Sequence, residues 1–464
     1  MKTTAISKQA QQPTNIIAKF NTPQLLKGGL YLSWGTSLLL LIATISGVQG
    51  QRHAIQTVGK DAAPSILNAI RIKDSLADMD ANAANELLVK PGQNPEAIKG
   101  YNERRQKLSG LLVDVASNIT YGDAEKIPIQ TIVDGVGRYM EKIQQARDFN
   151  ASGDTNGVIT AYREAAEIMD KTLLPAADEL AKVNLEQLDK SYDRDQFAVG
   201  RSLFFVIISG LLLIGTLVGI QLFLKYRMRR ILNPMLLAAS AIAFIFLGYT
   251  IQALLASSHH LKVAKQDSFK SLYVLRQSRS IAYSANAAES RYLLDTTRAA
   301  IHEQAFFDKV DQIAKLPNNQ TFETLATTVL KGEKVWGVTG LMADALNNIT
   351  FEGEKKVAVA TLINTFDTYF KLDKQIRQLQ ESGKRAEAIT LCTGYKPGQS
   401  NWAFEQFKAA HQKFLDVNQE QFDVAIAKGF KDVQNFEIIA PVATASIALL
   451  TLFGLLPRIK EYEM

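Results

Sequence analysis

The sequence predicts an all-α membrane protein with four transmembrane helices and two tandem extracytoplasmic antiparallel helical bundles. Three observations carry that prediction. Residues 30–48, 203–224, 235–255 and 438–456 form apolar windows without a charged side chain, each near the roughly 20 residues a helix needs to cross a hydrocarbon core of about 30 Å. The polar stretches between them show helical spacing of apolar residues and almost no strand signal. The two long polar stretches also repeat one another.

From its start the chain divides into a cytoplasmic tail (1–29), a first transmembrane helix (30–50), a first extracytoplasmic bundle (51–200) and a second span (201–224). A cytoplasmic basic connector (225–234) leads to a third span (235–256), a second bundle (257–436), a fourth span (437–457) and a cytoplasmic tail (458–464). The tail of almost 30 residues is long for the n-region of a signal peptide, so 30–50 reads as a retained helix. That tail carries Lys2, Lys8, Lys19 and Lys27 without an acid, and the connector carries Lys225, Arg227, Arg229 and Arg230 without one. The excess of cations places both inside, with both termini cytoplasmic in a multi-pass plasma-membrane protein.

Average composition hides this organisation: hydrophobic residues make up 47% of the 464 and the mean hydropathy is near zero. The net charge of +6 is likewise a mixture. Residues 51–200 carry 18 Lys and Arg against 23 Asp and Glu, and residues 256–436 carry 23 against 20. The rest of the positive charge flanks the membrane, so topology accounts for it and nucleic-acid binding is not called for. The single cysteine, Cys392, excludes an intrachain disulfide and reads as a spectator thiol. His53, His259, His260, His302 and His411 form no metal-ligand spacing. No cofactor motif is present either.

The duplication is read from four landmarks. Ala81-Asn82-Ala83-Ala84 recurs as Ala285-Asn286-Ala287-Ala288, and Asn118-Ile119-Thr120-Tyr121 as Asn348-Ile349-Thr350-Phe351. At the latter offset Tyr139 meets Tyr369, Arg147 meets Arg377, and Ser152-Gly153 meets Ser382-Gly383. Val183-Asn184-x-Glu186-Gln187-Leu188-Asp189 then meets Val417-Asn418-x-Glu420-Gln421-Phe422-Asp423. The second copy holds an insertion containing Leu316-Pro317-Asn318-Asn319.

Within the first copy, four helices are expected. One continues from the first span to the turn at Lys90–Pro95, one covers about 96–117, and one about 129–148. The last runs from about 158 into the second span, bent at Pro175. The second copy is expected to repeat this with turns near Pro317, Gly353 and 393–398. The small residues of the Ala-Asn-Ala-Ala landmarks read as helix contacts. Arg147 and Arg377 read as charges favouring helix C-termini, and Asn118 and Asn348 as helix-end or turn residues heading N-I-T sequons. Gly215-x-x-x-Gly219 would let helices approach closely.

No P-loop, nucleophile elbow, zinc-protease motif or nucleophile–base pair occurs, so the chain is not expected to be an enzyme. Its carboxylates read as solvated bundle faces. The spans lack ionisable residues in their cores, which disfavours ion-coupled transport. What remains is a receptor-like device whose output passes to a separate protein. Arg227, Arg229 and Arg230 are the candidate inner docking residues, with topology and lipid headgroup contact as the plainer account of them.

Tyr139-x7-Arg147, Ala161-Tyr162-Arg163-Glu164-Ala165 and Leu173-Leu174-Pro175-Ala176-Ala177 in the first copy resemble the GlnX-type bacterial membrane proteins. So do Leu346–Glu354 and Ser400-Asn401-Trp402-Ala403-Phe404 in the second. The resemblance covers nearly the whole chain. It implies a non-enzymatic relay of extracytoplasmic amino-acid status, with a solute-binding lipoprotein of the glutamate/glutamine type outside and a soluble Ser/Thr kinase inside. A looser likeness is to the four-helix sensor domains of chemoreceptors, which would make one bundle a direct small-ligand sensor. A structural membrane scaffold is the third reading. The sequence leaves the ligand, the direction of response and homo-oligomerisation open.

Overall fold

Helices supply the regular structure of the described residues, 21–228, 232–318, 320–333, 335–347 and 354–461 of a computed structural model; one isolated antiparallel bridge joins Lys315 to Thr339. Helix α1 (Thr22–Gln56) passes through a π-helical turn at Thr57–Ala62 into α2 (Ala63–Leu87). The side chain of Asn94 accepts from the Ala97 N–H at 3.2 Å and caps α3 (Pro95–Ser117), whose first residue is a proline that needs no donor there. Helix α4 (Asp123–Ser152) starts earlier than its apolar rhythm suggested, with Pro128 inside it, and closes on Gly153 at φ +78°, a left-handed position that favours glycine. Asp154 caps α5 (Thr155–Ile168) by accepting from the Gly157 N–H at 2.9 Å. A π-helical turn at Met169–Leu173 then leads into α6 (Leu174–Met228). It falls just before Pro175, which lacks the N–H that an α-helical turn would require.

The second half begins with α7 (Pro234–Lys262), a π-helical turn at Val263–Phe269, and α8 (Lys270–Leu294). Its continuation is more divided than the first copy. Helices α9 (Ala299–Ile313), α10 (Phe322–Lys331) and α11 (Leu341–Asn347) precede α12 (Glu354–Glu381), α13 (Arg385–Thr393), α14 (Ser400–Asp432) and α15 (Phe436–Lys460). The insertion thus builds helices of its own, α10 being opened by a capping box at Thr321 and Thr324. The turn expected near Gly353 lies outside the described residues.

The helices sort into two units. One holds the described parts of residues 1–53, 195–258 and 430–464. It contains the apolar lengths of the four helices that are long and apolar enough to cross a membrane. Leu40, Val206, Leu213, Leu236, Ala243 and Ile447 form its interior, while Leu39, Phe205, Phe244, Ile245 and Phe453 point outward, as they would toward lipid. Buried Thr250, Thr444 and Thr451 return their hydroxyl protons to the carbonyl four residues back, whereas the buried hydroxyls of Ser37 and Thr44 have no partner. The close helix approach is not at Gly215 or Gly219, which face open space, but at Gly210, where a methyl group would meet Leu247 at 2.4 Å. A GxxxG spacing identifies a narrow stripe on a helix without saying which way the stripe faces.

The second unit holds Ala54–Arg194 and His259–Gly429, so both polar stretches pack together. Helices α2 and α8 lie against each other at its centre, with α2 also against α3 and α8 also against α9. Both central helices are buried on nearly every side. Ala81, Ala83 and Ala84 and their counterparts Ala285, Ala287 and Ala288 are all buried there. Rings of Phe306, Phe322, Phe366, Tyr369, Phe404 and Phe407 fill the second half's own core.

Candidate functional site

A helix buried all round is ordinarily apolar all round, yet α2 carries Asp74, Asp78, Asp80, Asn82 and Asn85 into the interior. Helix α8 answers with Arg276, Arg279, Asn286, Glu289 and Arg291. Aligned through the Ala-Asn-Ala-Ala landmark, Asp74, Asp78 and Asp80 match Ser278, Ala282 and Ser284, whereas Arg276, Arg279 and Arg291 match Ile72, Ser75 and Leu87. The duplicated helix has become acidic in one copy and basic in the other. Those charges form a buried seam. The expectation that the carboxylates decorate solvated faces is therefore corrected for these residues: all three are buried, Asp80 and Asp74 facing arginines of the other copy and Asp78 lying between Arg104 of its own copy and Lys408 of the other.

At the C-terminal end of α2 and α8 the seam is densely paired. Arg291 donates from Nη2 to Asp80 at 2.6 Å, from Nη1 to Asp170 at 2.7 Å and from Nε to the Tyr162 hydroxyl at 3.2 Å. Asp80 also accepts from Tyr162 and from Tyr139, each at 3.2 Å. Burial opposes the charge on Arg291, but Asp80, Tyr162 and Asp170 outweigh it and hold its pKa well above the ordinary value. Burial likewise raises Asp80, against the pull of Arg291. Nearby, Arg163 places a two-pronged bond on Asp295, both arms at 2.6 Å. Four helices and the Met169–Leu173 turn converge on this end.

In the middle, Asp78 lies 2.5 Å from Arg104 Nε and 3.6 Å from Lys408. Burial would raise it, but Lys408 and Arg104 prevail and lower its pKa, keeping it ionised. The Tyr283 hydroxyl accepts from Arg279 at 3.0 Å and from Arg104 at 3.3 Å.

Toward the N-terminal end of the two helices pairing fails. Arg276 Nη1 stands 4.0 Å from Asp74, both side chains being buried. Arg276 Nε, Asp74 Oδ1 and His411 Nδ1 are enclosed with no hydrogen-bond partner. Burial, more than its neighbours, raises Asp74 and pushes Arg276 down to about 10. Burial, followed by Arg279 and Arg276, holds His411 well below its ordinary pKa, so it is neutral.

The repeat-matched candidates fall around this seam in different ways. Tyr139 is part of it, through Asp80. Tyr369, its counterpart, is fully buried and accepts from Asn286 at a long 3.5 Å. Arg147 forks onto Glu86 of α2 at 2.7–3.1 Å and lies 4.5 Å over the Tyr101 ring. Arg377 instead forks onto Asp373 within its own helix at 2.8 and 2.9 Å, among the rings of Tyr292, Phe306 and Phe307. Neither arginine lies in the last turn of its helix, so the helix-terminus reading is replaced by specific carboxylate pairs. Asn118 sits at the C-cap of α3 and donates to Ser65 Oγ at 2.8 Å; Asn348 lies outside the described residues. Arg227 is exposed near the end of α6, while Arg229 and Arg230 lie outside the described residues.

Near the end of α8, Glu289 is fully buried, accepts from Ser400 at 2.7 Å and Cys392 at 3.6 Å, and lacks a cation of its own because Asp373 holds Arg377. Burial, then Asp373, raises it far above the carboxylate range. Burial and then Glu289 hold the Cys392 thiol well above its ordinary value, so it stays protonated. Among the described residues no group of three His, Cys, Asp or Glu side chains is disposed to hold a metal ion.

Residues 54–193 match the model of a family described as an actinobacterial sensor domain. No curated protein and no solved structure matches the chain. With the four apolar helices, the family match points to a bacterial multi-pass membrane protein with a sensing or signalling role.

Proposed function

We propose that the chain is a non-enzymatic transmembrane signal transducer in the plasma membrane of a bacterium, with its termini in the cytoplasm and its polar unit outside. It relays the status of an extracytoplasmic solute, an amino acid in the resemblance noted above, through a docked solute-binding protein to a cytoplasmic Ser/Thr kinase. The observation that carries this reading is the unevenly paired seam, a polar contact between two helices that each continue, through a π-helical turn, from a membrane helix. A partner that favours one arrangement of α2 against α8 biases an element with more than one packing, and stiff helices pass the difference on. Arg227, Arg229 and Arg230 are the proposed inner contact.

The test is a crosslinked partner list from cells, with Arg291→Met beside the parent chain. Recovery of an outer solute-binding protein and an inner kinase supports the relay, and recovery of neither sinks it. Replacing the three arginines by Gln, with topology checked separately, tests the inner contact: retained signalling would remove it. A second reading, direct sensing, draws on the unpaired Asp74 Oδ1 and Arg276 Nε. An adjacent free acceptor and donor complement the two charges of a zwitterion. Thermal-shift screening of the full chain with amino acids decides it, since a direct ligand stabilises without a partner.

A further inference from the structure

The end of the membrane unit that carries the connector holds a cavity of about 220 Å³ between α6, α7 and α15. That is room for several waters, each occupying about 30 Å³ of the liquid. Its polar floor is already spoken for. Asn233 donates to the Gly454 carbonyl at 2.7 Å and exchanges bonds with the Gln221 side chain at 3.2 and 3.3 Å. The rim is different. Leu232 and Phe453, both 58% exposed, stand on it beside Arg458, whose counterion among the described residues is Glu461 in the next turn. Phe453 lies on the outward side of α15, and Lys225 is not among the lining residues, so Arg458 is the cation at the mouth. The cavity therefore pairs a cationic lip with an apolar one where apolar helices end.

We infer that this cavity binds an anionic phospholipid, its phosphate on Arg458 in competition with Glu461 and its acyl chain along Phe453 and Leu232. A free anion would use the arginine and leave both apolar side chains bare. A neutral lipid would use the apolar lip and leave the cation in place. Basic pockets between transmembrane helices hold acidic headgroups for the same reason. Topology alone needs no cavity, so the inference goes beyond counting connector charges.

The full chain in nanodiscs of phosphatidylcholine with phosphatidylglycerol, extracted gently and weighed by native mass spectrometry, tests it. Phosphatidylglycerol is expected to be retained in preference to phosphatidylcholine. Arg458→Gln should weaken retention roughly tenfold, as loss of one charge-assisted bond does. Leu232→Trp, which obstructs the mouth without changing charge, should weaken it as well. The control variant Lys225→Gln with Arg227→Gln removes more charge but no cavity wall and should leave retention within about twofold. Equal retention of both lipids, no retention, or an equal loss in the control variant would overturn the assignment.

Discussion

The two ends of the α2–α8 seam use the same kinds of residue with opposite success. At one end Arg291 is shared by Asp80, Asp170 and Tyr162 at 2.6–3.2 Å; at the other Arg276 stands 4.0 Å from Asp74, with a buried nitrogen and oxygen unpaired. A buried polar atom without a partner costs about 1–3 kcal/mol, whereas a satisfied network fixes one geometry. In the relay proposed above, the paired end is the clamp and the unpaired end the contact that moves, since a seam tight throughout would transmit nothing and one loose throughout would have no reference position.

The largest effect tests the clamp. Arg291→Met should lower stability by about 3–5 kcal/mol, because it strands the buried Asp80; thermal unfolding in detergent measures it, and a loss under 1 kcal/mol would mean this end is no clamp. Next comes pH, through Glu289. Its folded pKa lies above the unfolded one, so the folded state holds an extra proton. The contribution is complete below the ordinary carboxylate range and is lost as pH rises through the raised folded value. In that interval the slope approaches about 1.4 kcal/mol per pH unit. Glu289→Gln should flatten it, as seen in melting temperatures across pH; an unchanged profile would show that another group titrates.

Double-mutant cycles set the two ends side by side. Coupling between Asp80 and Arg291 should exceed about 1.5 kcal/mol, and that between Asp74 and Arg276 should stay below about 0.5 kcal/mol. Equal couplings would erase the contrast. The smallest change is expected from Asp74→Asn, within about 1 kcal/mol in either direction, since the residue brings an unpaired oxygen and little attraction. A cost above 2 kcal/mol in the same unfolding measurement would reveal a strong partner there.

Much of this architecture was legible in the sequence. The apolar windows, the turn that precedes α3 and the Ser-Gly break after α4 each follow from local rules. So does the duplication, and it led to Tyr139 without indicating that its hydroxyl serves Asp80. The seam was not legible. Asp74, Asp78 and Arg276 occur at helical spacings like any exposed charged face, and only the register between the copies shows that they meet. The one available signal was their failure to repeat: acids stand in one copy where small residues stand in the other. The faces of Gly215 and Gly219 were hidden for a related reason, because spacing fixes a stripe but not its direction.

The halves of this chain have ceased to be interchangeable. Two first halves brought together would set aspartate against aspartate, and two second halves arginine against arginine, so each is matched to its sibling rather than to itself. Helices α10 and α11 belong to one half only. A protein that recognised either half would thus find a single landing place per chain, so the relay proposed above implies a one-to-one stoichiometry with its outer partner.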